Sequence, residues 1–224
     1  MTDVRAVDNV AATVTGTAAS GRRLAGVFLF ALAAQFMIVI MFGAAMAPEY
    51  DFNGGAISDL GVIAETALMF NASLIVVGLF NLLGGYYFYR SHGKRWLLGI
   101  FAVAGIGALG AGVFTLDSDG LHGLFALLAF LFFNVQALGS GTRVSGAMRI
   151  ISILAGLVGL GFVVVMAVGD AGNAAVFGPI GHGGAERMIV YPPMLWLLAF
   201  GGYLLGTWTD GTAQSTVDHT EPAD

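Results

Sequence analysis

Apolar runs of about twenty residues, separated by short polar stretches, recur six times along this chain. They cover Leu24–Met46, Ala67–Tyr89, Trp96–Thr115, Leu121–Ser140, Met148–Gly169 and Met188–Trp208. At about 1.5 Å of rise per residue, each run is long enough to cross a hydrocarbon core of about 30 Å as a helix. A membrane barrel would instead show alternating segments of about ten residues. Helices also satisfy their own backbone polar groups, which lipid cannot do. The pattern therefore predicts an all-α polytopic membrane protein, a six-transmembrane-helix bundle over residues 21–209. Residues 1–20 and the acidic stretch 210–224 read as disordered cytoplasmic termini.

Composition supports that reading. The chain is 57% hydrophobic and only 10% charged, against about 25% charged in soluble domains. Glycine, at 34 of 224 residues, is about twice its usual share of roughly 7%, which suits closely packed helices in a membrane. "GIGALG", residues 105–110, formally matches a dinucleotide-binding pattern. It lies in mid-span, without the strand that the motif requires, and reads as a helix-packing face with Ala104, Ala108 and Gly112. No cysteine is present, so thiolate chemistry is excluded. No basic patch invites nucleic acid. The single lysine, Lys94, lies between spans, which excludes a retinal Schiff base; nucleotide and haem are not expected either.

Basic residues orient the bundle. Eight of the nine, namely Arg5, Arg22, Arg23, Arg90, Lys94, Arg95, Arg143 and Arg149, fall on one side of a six-span arrangement, and Arg187 alone falls on the other. The positive-inside rule then places both termini in the cytoplasm of a multi-pass protein of the cell membrane. "GRRLAG" before an apolar run also matches a twin-arginine export signal, but the length of that run and the arginines of the later loops favour a span.

With this orientation the outer loops collect the polar chemistry. The first holds Glu49, Asp51, Asn53, Ser58, Asp59 and Glu65; the third holds Asp117, Asp119 and His122; the fifth holds Asp170, His182, Glu186, Arg187 and Tyr191. A solvated acidic rim accounts for several of these. His122 borders a span, where ionisable groups are expensive and tend to mark function. Arg187 reads as a partner of Glu186, as an interfacial snorkel, or as a clamp for phosphate or carboxylate. Pro192 and Pro193 are expected in the first turn of the last span, restricting Tyr191. Asp117, His122, His182 and Glu186 would supply a divalent-metal set if they converged, although Gly183 and Gly184 argue against a helix between the last two. Ser58 reads as a helix cap or turn residue, or as a nucleophile with His122 as base, oriented by Asp59 or Asp117. The intramembrane amides Gln35, Asn71, Asn81, Asn134 and Gln136 are expected to bond between helices, with Asn71 close enough to join the Ser58–Asp59 region.

Taken together, "GGAISDLG" followed by "FN", "GVFTLDSDGLHGLFA" and "GGAERMIVYPPMLW" resemble the DUF998 family of six-span archaeal and bacterial membrane proteins, over most of residues 25–208. The resemblance implies that Ser58, Asp59, Asn71, Asp117, His122, Glu186, Arg187 and Tyr191 are the residues to watch. Thr115 departs from the family pattern, which often has proline there. The family's function is unknown, so the resemblance implies a site and not a reaction.

The expected function is an outward-facing polar site that binds or processes a lipid or isoprenoid head group. In an enzyme this would be a membrane-embedded hydrolase or lipid-modifying activity, with Asp59, Asp117 and His122 as the catalytic candidates and Ser58, Asn71, Glu186, Arg187 and Tyr191 binding substrate. Two other classes stand beside it. One is a small-solute or ion transporter, which usually carries charge at mid-membrane. The other is an accessory protein that binds a partner, or a second copy of itself, through its outer loops. Membrane lipids are the expected partners.

Overall fold

A computed structural model describes the backbone of residues 3–206 and the side chains of residues 19–206. The tail expected over 210–224 lies outside the described residues, as do the side chains of 1–18. Among the described residues there are six α-helices: α1 Asp3–Met46, α2 Ala67–His92, α3 Arg95–Val113, α4 Leu121–Ser140, α5 Gly146–Asp170 and α6 Gly181–Gly206. All six are long and apolar enough to cross a membrane, the crossing part of α1 being Ala19–Met46. Among the described residues there is no strand, so this is an all-helical, multi-pass membrane protein. Backbone helix begins at Asp3, inside the stretch whose composition predicts disorder; alanines there favour the helical form.

Each helix packs on its neighbour in sequence, and α6 closes the ring against α1. Glycine makes two of these seams possible. A methyl group on Gly26 of α1 would stand 2.9 Å from the Gly201 carbonyl of α6, and the reverse substitution meets the Gly26 carbonyl at the same distance. Gly78 and Gly105 face each other similarly across α2 and α3. With lipid outside as apolar as the core, such close backbone approach is a main source of helix association.

Gln35, Asn81, Asn134 and Gln136 bond between helices, as their positions predict. Ser73 donates to Gln35 Oε1 at 2.8 Å, joining α2 to α1. Asn81 and Gln136 exchange two 3.0 Å bonds between α2 and α4, and Asn81 also donates to the Phe101 carbonyl of α3.

Helix α6 departs from the expected boundary. It starts at Gly181 rather than near Met188, so Pro192 and Pro193 sit in its interior and not in its first turn. Proline has no N–H to give to the carbonyl four residues back, which frees the carbonyls of Met188 and Ile189. Asn134 of α4 donates its Nδ2 to the Ile189 carbonyl at 3.1 Å, with Asn134 fully buried. A side-chain amide from one helix thus fills the gap that Pro193 leaves in another.

This substitution of donors is testable. Asn134→Leu should lower stability by about 1 kcal/mol, the scale of a membrane hydrogen bond, and less when Pro193→Ala supplies the missing N–H. A double-mutant cycle on unfolding in mixed micelles would read the difference; equal costs in both backgrounds would contradict it.

Candidate functional site

The loop between α1 and α2 does not float above the bundle. It folds down on the start of α6 and forms a short 3₁₀ turn over Ile57–Gly61. Arg187 holds it there. Its Nη1 donates to the Gly55 carbonyl at 3.1 Å and to the Gly183 carbonyl at 2.7 Å. Its Nη2 donates to the Tyr50 hydroxyl at 2.7 Å, and the Phe52 ring lies 3.9 Å from the guanidinium carbon. Tyr50 in turn donates to the Ala56 carbonyl at 2.7 Å. Buried at 4% exposure, Arg187 is solvated by carbonyls, a phenol and an aromatic face rather than paired with Glu186 beside it, and its Nε has no hydrogen-bond partner.

Glu186 points to the other side of the same loop, accepting the Ile57 N–H at 2.5 Å. Asn53 completes the attachment. Its Nδ2 donates to the Pro179 carbonyl at 3.2 Å, and its own carbonyl accepts the Gly184 N–H at 3.3 Å, covering an open donor at the start of α6. The helix therefore runs through Gly183 and Gly184 despite their low propensity. A side chain at Gly183 would collide with the Gly55 carbonyl, so glycine here is what lets the loop dock.

Asp59 and Ser58 exchange their expected roles. The Asp59 carboxylate accepts the Ala56 N–H at 2.8 Å and caps its own turn. Ser58 instead lines two adjoining cavities. The inner one, of about 60 Å³, is walled by apolar side chains such as Phe70, Val77, Phe133 and Met194, with Ser58, His122 and Glu186 among its lining. The second is a cleft of about 380 Å³ lined from α4, α5 and α6, and it shares Ser58, His122 and Glu186 with the first. These three residues come from the first loop, the start of α4 and the start of α6, so three separated segments do meet. Asp59 and Arg187 line neither cavity.

His122 is buried at 5% exposure, with Nδ1 facing the carbonyls of Ala111 and Phe114 at 3.1 and 2.9 Å. Both partners can only accept, so Nδ1 carries the hydrogen and Nε2 of the neutral ring is an acceptor. The glycine turn that delivers it is as expected, Gly120 having φ +82. Neither acid of the expected dyads reaches the ring. Asp117 is fully exposed and accepts a short hydrogen bond from Thr115. That bond holds its carboxyl below the usual aspartate range. Asp117 and Asn71 border a separate groove, Asn71 donating to the Gly61 carbonyl at 2.8 Å.

Other expectations fail for equally local reasons. His182 pairs with Asp170 at 3.3 Å, and among the described residues no three histidine, aspartate or glutamate side chains gather to hold a metal. The proposed set Asp117, His122, His182 and Glu186 is therefore not assembled. Tyr191 packs against the core, and the tyrosine that meets Arg187 is Tyr50. The sequence signal for Tyr50 is its place in a glycine-rich loop opposite a lone arginine, but nothing in the linear pattern measures that distance.

The family model described as "Protein of unknown function (DUF998)" matches residues 24–203, and the chain belongs to that family. No curated protein and no solved structure matches it.

Two consequences can be measured. Arg187→Ala removes three charged hydrogen bonds, each worth about 1.5–3 kcal/mol, and should speed amide exchange across residues 50–61 by at least tenfold. Asp59→Ala should cost only about 1 kcal/mol, with faster exchange confined to the 3₁₀ turn. Burial raises the Tyr50 hydroxyl above its ordinary 10.0, outweighing the opposite pull of Arg187. A raised folded value gives stability that is complete below the unfolded pKa and lost as pH climbs through the folded one. Unfolding midpoints should therefore hold up to pH 10.0 and fall above it, and Tyr50→Phe should remove that part of the alkaline fall.

Proposed function

We propose that this DUF998 membrane protein binds a membrane lipid or isoprenoid, holding its head group at Ser58, His122 and Glu186, with the first few carbons of its chain in the apolar cavity behind them and the rest along the cleft. One observation carries the reading: an apolar cavity and an outer cleft share the same three polar side chains. Two of the three, His122 and Glu186, are at 5% exposure. Polar groups buried at that depth are costly unless something satisfies them. An amphipathic ligand supplies both requirements at once, polar contacts at the junction and apolar surface beyond it.

By the positive-inside rule the site faces outward from the cell membrane. The cleft is lined from α4, α5 and α6. Leu127 and Val163 line it, so its walls are continuous in character with lipid. A ligand partitioned in the bilayer would reach the junction without crossing water. Arg187 serves this site by positioning, since it pins the loop that carries Ser58. Asp59 and Asp117 have no part in it.

Lipid extraction from protein purified in mild detergent should recover one species in near-stoichiometric amount, enriched over the bulk membrane. Ala126 lines both cavities, and Ala126→Phe would fill the space between them and reduce that recovery at least fivefold. A wild-type extract with the composition of the bulk membrane, unchanged in Ala126→Phe, would refute the proposal.

A further inference from the structure

Building on that reading, we infer that the head group is an uncharged hydroxyl, and that this site selects a long-chain or prenyl alcohol over its phosphorylated form. The inference follows from which hydrogen-bonding groups the junction leaves free.

His122 uses its one N–H on the carbonyls of Ala111 and Phe114, leaving Nε2 as an acceptor. Glu186 is also an acceptor, with the Ile57 N–H taking one lone pair of its carboxyl group and others left. Two acceptors at a buried junction call for a donor from the ligand. The Ser58 hydroxyl is able to donate and to accept. An alcohol matches all three, giving its proton to His122 or Glu186 and receiving one from Ser58.

A phosphate matches only Ser58, whose hydroxyl can donate to it. It brings up to two negative charges and acceptor oxygens to groups that are themselves acceptors. The cation that would compensate is absent from the lining of both cavities: neither contains a lysine or an arginine. Arg187 is adjacent in sequence but committed, its Nη1 and Nη2 being held by Gly55, Gly183 and Tyr50, with Phe52 against its face. His182 lines the cleft but is turned to Asp170 at 3.3 Å. A phosphate in the cleft would instead meet the carboxylate of Asp170 and the oxygen lone pairs of Glu186. Like charges repel across the cleft, and specificity of this kind works by excluding the wrong ligand.

The test compares hexadecanol with hexadecyl phosphate, and farnesol with farnesyl phosphate, on the purified full chain by native mass spectrometry. Each alcohol should bind at least tenfold more tightly than its phosphate, the scale of one charged contact. Ser58→Ala should weaken the alcohols several-fold, and Glu186→Gln should bring alcohol and phosphate closer together. If Glu186→Gln fails to fold, Leu116→Lys gives a second reading. Leu116 lines the cleft and is 40% exposed, so a lysine there adds a cation without disturbing the core and should favour the phosphates. Phosphates binding as tightly as alcohols would overturn this inference and leave lipid binding intact. Binding of neither class, together with a bulk-like lipid extract, would remove the lipid reading as well.

Discussion

A guanidinium that is almost wholly buried, with no carboxylate against it, is the constraint on which this structure turns. Burying a charge is tolerable only when every donor has a partner and the surroundings are polarisable. Arg187 meets most of that demand with two carbonyls, a phenolic oxygen and an aromatic face, its Nε being left without a partner, and all but one of these partners come from the loop between α1 and α2. The charge therefore cannot be buried unless the loop is folded down, and Ile57 and Leu60 of the same loop enter the core when it is. Glu186 and Asn53 then fix its register, and Ser58 arrives at the junction as a result. In this molecule the arginine builds the site and stays out of it.

The same economy explains the glycines at this end of the bundle. Gly183 has no side chain because the Gly55 carbonyl occupies that space, and Gly120 takes a positive φ that starts α4 where His122 can reach α3. His122 thereby covers carbonyls at the open end of one helix while standing in the first turn of the next. Its ring is fixed by backbone on one side and presented to the cavity on the other.

Much of this was legible beforehand. Hydrophobic run length alone gives six spans, because a bilayer imposes one length on every crossing helix. Interhelical amide pairs follow from the same physics, since a lone amide in hydrocarbon has to find a partner. The site was legible in its residue types but not in their roles. Ser58 and Asp59 are neighbours, and which of them caps the turn depends on a direction that sequence does not encode. Asp117 lies five residues from His122, yet the turn between them sends one to solvent and the other inward. The boundary of α6 was missed because glycine propensity was weighed without the carbonyls that dock against it. Tyr50 was missed because its partner lies 137 residues away.

The proline pair in α6 has a mechanical consequence for the cleft beside it. With the Ile189 carbonyl surrendered to Asn134, α4 and α6 are riveted at one height, below the junction where Ser58, His122 and Glu186 meet. Asn134 and Ile189 both line the inner cavity, so the bond that ties the helices is part of the cavity wall. The prolines leave two intrahelical bonds unmade at that point of α6. The shape of the apolar pocket thus depends on a polar repair made between two helices, apart from the three polar side chains at its mouth.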